Sequence, residues 1–188
     1  MLVLSGPSAS GKSEIVKILT EKYDLKKLVT YTTRPPRLGE INGIDYNFVT
    51  VDEFLKLKAN NEFLETTYYN NNYYGSRLAD INFEKIVILD PSGVNVFREI
   101  LKEKIVVVFL TAPESLRIER MRKRGDDEKI IEKRILNDRT TFTLDKYQHI
   151  DYIYHNETIE LDALAKQIYD CYIKHIEKLI LENVLSGK

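Results

Sequence analysis

The sequence predicts an α/β fold: a parallel sheet flanked by helices, interrupted by an inserted small α+β lobe and a charged helical lid. Three observations carry this expectation. Apolar runs at Met1–Leu4, Ile86–Leu89, Ile105–Leu110 and Tyr152–Tyr154 alternate with helical patterns, as buried parallel strands do. Between the first strand and the first helix, Gly6 to Ser13 reads Gly-Pro-Ser-Ala-Ser-Gly-Lys-Ser, which fits the phosphate-binding pattern G-x-x-x-x-G-K-[ST]. Two stretches, 30–83 and 117–147, break the rhythm of strand and helix.

Each element has its own signature. After the loop, Ile15, Val16, Ile18 and Leu19 recur at helical spacing with charges between them. In such a strand–turn–helix, Gly6 and Gly11 let the chain curl so that the amides from Ser8 through Ala9, Ser10 and Gly11 converge on an anion at the positive end of the helix. Lys12 would reach the β- and γ-phosphates of a nucleoside triphosphate, and Ser13 would set a hydroxyl on Mg²⁺. A shorter strand candidate covers Leu28–Thr32. The inserted stretch holds the alternating run Tyr46–Thr50, turn signals at Gly39 and Asn42-Gly43, and a short helix opened by the capping box Thr50-Val-Asp-Glu53. Further on, Ser92 is expected to cap a helix carrying Val94, Phe97, Ile100 and Leu101 inward, and Pro113 to open the next. A long last helix carries Leu161, Leu164, Ile168, Tyr172 and Leu179 along one face. These elements divide a single domain, 1–188, into a core (1–29, 84–116 and 148–188), the lobe (30–83) and the lid (117–147).

Composition narrows the function. The chain has 188 residues, with Lys+Arg 28 against Asp+Glu 29 and a formal net charge of -1. That balance argues against a nucleic-acid or membrane-surface binder. One cysteine, Cys171, allows neither an internal disulfide nor a thiolate metal cluster, and it is expected to pack in a helix. His149, His155 and His175 lack metal-site spacing. No apolar run approaches the roughly 20 residues of a membrane span, and the start leads straight into the phosphate loop. The expected setting is the cytoplasm, as a monomer or homodimer.

The lobe carries Thr32-Thr-Arg-Pro-Pro-Arg-Leu-Gly-Glu-Ile-Asn-Gly-Ile-Asp-Tyr-Asn-Phe48, then Phe63-Leu-Glu65 and Asn72-Tyr-Tyr-Gly-Ser76. With Ser5 to Ser13 included, the chain resembles the guanylate kinases through nearly its whole length. That family shows S-G-P-S-x-x-G-K-S, T-T-R-x-P-R-x-G-E-x-x-G-x-D-Y-x-F, F-x-E and N-x-Y-G-[ST] in this order. The resemblance implies a P-loop kinase core, a nucleoside-monophosphate lobe, Mg·ATP as donor and GMP or dGMP as acceptor.

It also implies roles for matching residues. Arg34 and Arg37 present planar forks to the acceptor phosphate, and Tyr46 and Tyr74 add hydroxyls. Ionised Glu65 accepts from guanine N1–H and the exocyclic amine, with Ser76 and Thr30 at the base edge. Adenine leaves those groups unmatched, at about 1–3 kcal/mol for each buried polar group left unpaired. In the lid, Arg120, Arg124 and Arg134 would cover the triphosphate and neutralise charge on the transferring group. Arg117 lies on the same helical face at i, i+3, i+7 spacing. Asn156 matches an asparagine placed near adenine, and Asp90 would hold a metal-bound water.

Plainer readings stand beside these. Arg34 and Arg37 could pair with Glu40 and Asp45 on the surface, the lid arginines could be solvated, and Asp90 could cap a helix or serve a turn. The chain departs from the family at Asp90-Pro-Ser-Gly93, where a second aspartate is missing. That departure motivates a P-loop kinase for another small phosphorylated acceptor as the alternative. A catalytically weak interaction module is a third reading, opposed by the intact Gly11-Lys12-Ser13.

Overall fold

The computed structural model describes residues 1–82, 84–157 and 159–185. Strand β1 (Leu2–Ser5) runs through the phosphate loop into helix α1 (Lys12–Lys22). After β2 (Lys26–Lys27), the chain builds β3 (Tyr31–Thr32), β4 (Asn47–Phe48), α2 (Val51–Ala59), β5 (Phe63–Tyr69) and β6 (Asn72–Arg77). It returns as β7 (Lys85–Ile88), α3 (Pro91–Leu101) and β8 (Val106–Thr111). Helices α4 (Glu114–Lys123) and α5 (Glu128–Thr141), β9 (Tyr152–His155) and α6 (Leu161–Leu185) complete it.

The main sheet has the order β2-β7-β1-β8-β9, with every neighbouring pair parallel. Its central strands are apolar without alternation because both faces are covered. On one face Leu2, Leu4, Val106 and Val108 meet Ile15 and Leu19 of α1 and Leu164 and Ile168 of α6. On the other, Met1, Val3, Val87 and Val107 meet Val94 and Phe97 of α3, with Tyr147 closing the edge. Each such side chain, fully buried, stabilises the fold by about 1.5–3 kcal/mol in transfer terms. Because β1, β7 and β8 are held this firmly, the loops at their carboxyl ends start from fixed points.

A second sheet, ordered β4-β3-β6-β5, forms the lobe. Strands β5 and β6 make an antiparallel hairpin turning at Asn70 and Asn71, both at positive φ. Asparagine tolerates that conformation, which suits the twist of paired strands. Phe54 of α2, fully buried, stacks on Phe63 and Tyr73 and fixes the helix to the hairpin. The Thr50–Glu53 capping box forms as expected.

Several local expectations change. The Leu28–Thr32 candidate is divided: the Leu28 amide donates to the Ile86 carbonyl of β7 at 2.8 Å, just past the end of β2, whereas Tyr31–Thr32 pairs with β4 and β6 in the lobe. Helix α3 is capped by Asp90, whose carboxylate accepts from the Gly93 amide at 2.8 Å, and Ser92 is exposed. Pro91 explains this, since proline suits the first helical position and makes its predecessor the cap. Pro113 precedes α4 as its cap, so Glu114 is the first helical residue. Helix α4 thus begins before residue 117, and its Met121 forms a small apolar cluster with Ile131 and Ile135 of α5. Leu164, Ala165, Ile168 and Tyr172 carry the buried face of α6. No helix among the described residues is long and apolar enough to cross a membrane.

Candidate active site

The phosphate loop leaves β1 at the middle of the sheet and is braced from both sides. Gly6 (φ +137) lies so close to β8 that a Cβ would run into the Leu110 carbonyl oxygen. Gly11 (φ +101) caps α1 in a left-handed conformation, against the side-chain amide of Asn156. That amide donates to the Ser10 carbonyl at 2.9 Å. Asn156 therefore acts on the loop itself, and it is 3% exposed. Lys12 folds back, donating to the carbonyls of Gly6 and Pro7 at 2.7 Å. Burial brings its ammonium down to about 8, against the opposing pull of Asp138. Ser8 directs its amide to Asp138 at 2.8 Å, while Ser13 is exposed at the mouth of α1.

Across from the loop, the lobe supplies most of the predicted acceptor residues to one cavity of about 200 Å³. Thr30, Arg34, Arg37, Tyr46, Glu65 and Tyr74 line it together with Ser8, Ala9, Lys12, Ser13 and Asp90. Ser76 lies behind this wall, fully buried, with its hydroxyl on Glu65 Oε1 at 2.8 Å. Burial, with the nearby charge of Asp90, pushes the Glu65 carboxyl up to about 7.

The arginines are partly committed. Arg34 pairs with Glu40 at 2.8 Å and lies over the rings of Tyr46 and Phe48. Glu40 also accepts from the Arg37 amide at 2.6 Å. The surface-pairing alternative holds for Arg34 with Glu40, but in a form that keeps the guanidinium in the cavity wall. Asp45 pairs with Lys27 instead. Burial and the charges of Arg134, Arg34 and Arg124 pull the Arg37 guanidinium below its usual value, which marks a cluster of like charge around one space.

The lid supplies the remaining cations. Arg124 and Arg134 line the cavity, and both pair with Asp126. Arg120 reaches the carbonyls of Ala9 at 3.2 Å and Asn156 at 3.1 Å, joining α4 to the loop. It borders a wider cleft of about 860 Å³ with Gly11, Lys12, Ser13, Asn156 and Leu161. Arg117 is not solvated: it is 6% exposed and pairs with Asp138 at 3.0 Å.

Sequence reasoning passed over Thr67, Tyr69, Asp126, Asp138 and Phe142. Thr67 and Tyr69 follow Glu65 at period two along β5, so the strand pattern points them to the same side. Asp138 stands one turn after Arg134 on α5, a spacing that shares a face. Asp126 and Phe142 carry no comparable signal.

Among the described residues, no group of three or more His, Cys, Asp or Glu side chains could cage a metal. Ser13 and Asp90 both line the cavity, and a hydroxyl and a carboxylate are oxygen donors of the kind magnesium takes. One Asp90 oxygen is taken up by the α3 cap and by the Thr67 hydroxyl at 3.4 Å, so the capping alternative is realised alongside.

The guanylate kinase family profile matches residues 1–171, spanning the loop, the lobe and the lid. The chain belongs to the guanylate kinase family. It is 36% identical over 174 residues to a guanylate kinase of Anaplasma phagocytophilum, covering 87% of this chain and 81% of that one. A guanylate kinase of Helicobacter pylori is 34% identical over 168 residues, covering 85% and 81%. The crystal structure of the Anaplasma phagocytophilum guanylate kinase superimposes with a TM-score of 0.65 at 25% identity, over 91% of this chain and 82% of that one.

Proposed function

We propose that this chain transfers the γ-phosphoryl group of Mg·ATP to GMP and dGMP, giving ADP and GDP or dGDP. The observation that carries the reading is the single cavity in which the phosphate loop faces Arg34, Arg37, Tyr46, Glu65 and Tyr74. Donor and acceptor would meet there in line, and positioning with charge neutralisation would supply most of the rate.

On the acceptor side, Arg34 and Arg37 with the hydroxyls of Tyr46 and Tyr74 hold the monophosphate. Glu65, oriented by Ser76, accepts from the two guanine donors, and Thr30 packs at the base edge. On the donor side, Ala9, Ser10 and Gly11 cradle the phosphates while Lys12 exchanges its carbonyl partners for phosphate oxygens. Arg124 and Arg134 face the transferring group, and Arg120 holds the lid base to the loop. Ser13 and Asp90 would hold magnesium, which supplies charge neutralisation on the β- and γ-oxygens. The lid over the cavity excludes water, so the phosphoryl group passes to the nucleotide.

A coupled ADP assay with GMP, dGMP, AMP and CMP as acceptors tests this. Turnover with GMP and dGMP well above that with AMP and CMP is expected. Preference for any other acceptor would instead support the alternative raised by the shortened Asp90-Pro-Ser-Gly93 loop.

A further inference from the structure

One buried carboxylate near this cavity has no part in the scheme above. Asp138 on α5 has a side chain 1% exposed, and four donors surround it. The Ser8 amide reaches Oδ2 at 2.8 Å and the Ser8 hydroxyl reaches Oδ1 at 3.2 Å. The Tyr69 hydroxyl donates to Oδ1 at 3.1 Å, and Arg117 Nη1 to Oδ2 at 3.0 Å. Those donors come from three separate parts of the chain: the phosphate loop, strand β5 of the lobe and helix α4 of the lid. Two carboxylate oxygens offer about four acceptor sites, so the group is filled.

The neighbouring contacts reinforce the same junction. Asn137 reaches Asn70 in the β5–β6 turn at 3.4 Å, and the Tyr69 ring meets Phe142 edge-on at 6.3 Å. Arg117 also donates to the Ser8 carbonyl at 3.3 Å. Arg134 stands one helical turn before Asp138 and lines the cavity. On a rigid α5, the point at which Asp138 is tied therefore sets how far Arg134 stands from the phosphates.

We propose that Asp138 is a positioning residue for phosphoryl transfer, clasping the lid to the phosphate loop through Ser8 and to the acceptor lobe through Tyr69. The proposal rests on the transfer reading above. The clasp orients the Ser8 peptide, holds the lobe and lid at a fixed separation, and places Arg134 over the transferring group. A negative charge so near a triphosphate is tolerable because Arg117 neutralises it at contact distance.

The test compares D138N, Y69F and the double variant with the full-length enzyme. Asparagine keeps the shape but turns an amide toward two of the four donors. Misplacement of this kind should lower kcat with GMP by about ten- to a hundredfold, with ATP affinity by calorimetry held within about threefold, a split in which only the transition state suffers. Y69F should lose less, and the double variant should be no worse than D138N alone, since both changes cut one clasp. An unchanged kcat in folded D138N overturns the proposal whatever its melting temperature, because a purely structural aspartate would move only stability. If D138N does not fold, Y69F decides: a lowered kcat at an unchanged melting temperature supports the clasp, and wild-type kcat refutes it. A wild-type chain with no transfer to GMP would instead refute the underlying function.

Discussion

Ser76 stands directly across from Glu65 in the β5–β6 pairing and donates its hydroxyl to the Glu65 carboxylate at 2.8 Å. One bond does not offset the burial, so the carboxyl rises from 4.5 to about 7. The chain keeps an acid where a carboxylate is disfavoured, which is the arrangement of a group awaiting donors.

The sign of that shift gives the first prediction. Below pH 4.5 the group is protonated in the folded and unfolded chain alike. Between 4.5 and about 7 only the unfolded chain releases its proton, so stability falls as pH rises, and above 7 the cost is complete. Glu65→Gln, which keeps an oxygen for Ser76, should therefore stabilise the ligand-free protein at pH 8 by about 2–3 kcal/mol. The gain should vanish near pH 4, as denaturant titrations would show. The same variant should weaken GMP by about ten- to a hundredfold through an unmatched guanine donor, leaving ATP affinity unchanged.

Lys12 makes the donor site proton-linked. With its ammonium near 8 in the free protein, a bound triphosphate must favour the charged form. Calorimetry at pH 8.5 in buffers of different ionisation enthalpy should show proton uptake on ATP binding, and none at pH 6.5. Lys12→Ala should abolish the uptake and lower turnover by about two orders of magnitude or more, with folding intact.

Glu40 pins Arg34 and the Arg37 amide at once. In Glu40→Ala the Arg34 fork must be ordered by the nucleotide itself, at about 0.5–1.5 kcal/mol for an immobilised side chain. The KM for GMP should rise by about three- to tenfold, while the GMP-to-AMP preference stays as it was. A changed base preference would show that the pair acts on guanine and not on the phosphate.

Gly11→Ala should damage the donor site selectively. The position combines positive φ with contact against the Asn156 amide, so the loop must shift. ATP affinity should drop by about tenfold or more, in keeping with about 1–3 kcal/mol for a residue held in a disfavoured backbone region. GMP affinity, measured separately, should hold.

The sheet was legible because β1, β7 and β8 carry consecutive apolar residues on both faces, and the phosphate loop because its residues demand one backbone path. Arg34, Glu65 and Tyr74 were legible through the long lobe motif, which lists them in order. Buried charge was not. Arg117 and Asp138 sit in a segment whose composition reads as solvated, and pairing across helices leaves no periodic trace. The Leu28–Thr32 run was misread because one apolar stretch serves two sheets, and a strand pattern cannot say where its partner changes. Asp90 took the cap expected of Ser92 because Pro91 fixes the start of α3, a local rule that outweighs hydroxyl preference.

Asp126, lodged between Arg124 and Arg134, means that the lid carries its own counter-ion. At Arg124 and Arg134 an incoming phosphate would exchange one anion for another, so these two guanidinium groups are never bare. Salt weakens the resting pair and the bound pair together, so the affinity for ATP should decline with ionic strength more gently than the number of arginines suggests.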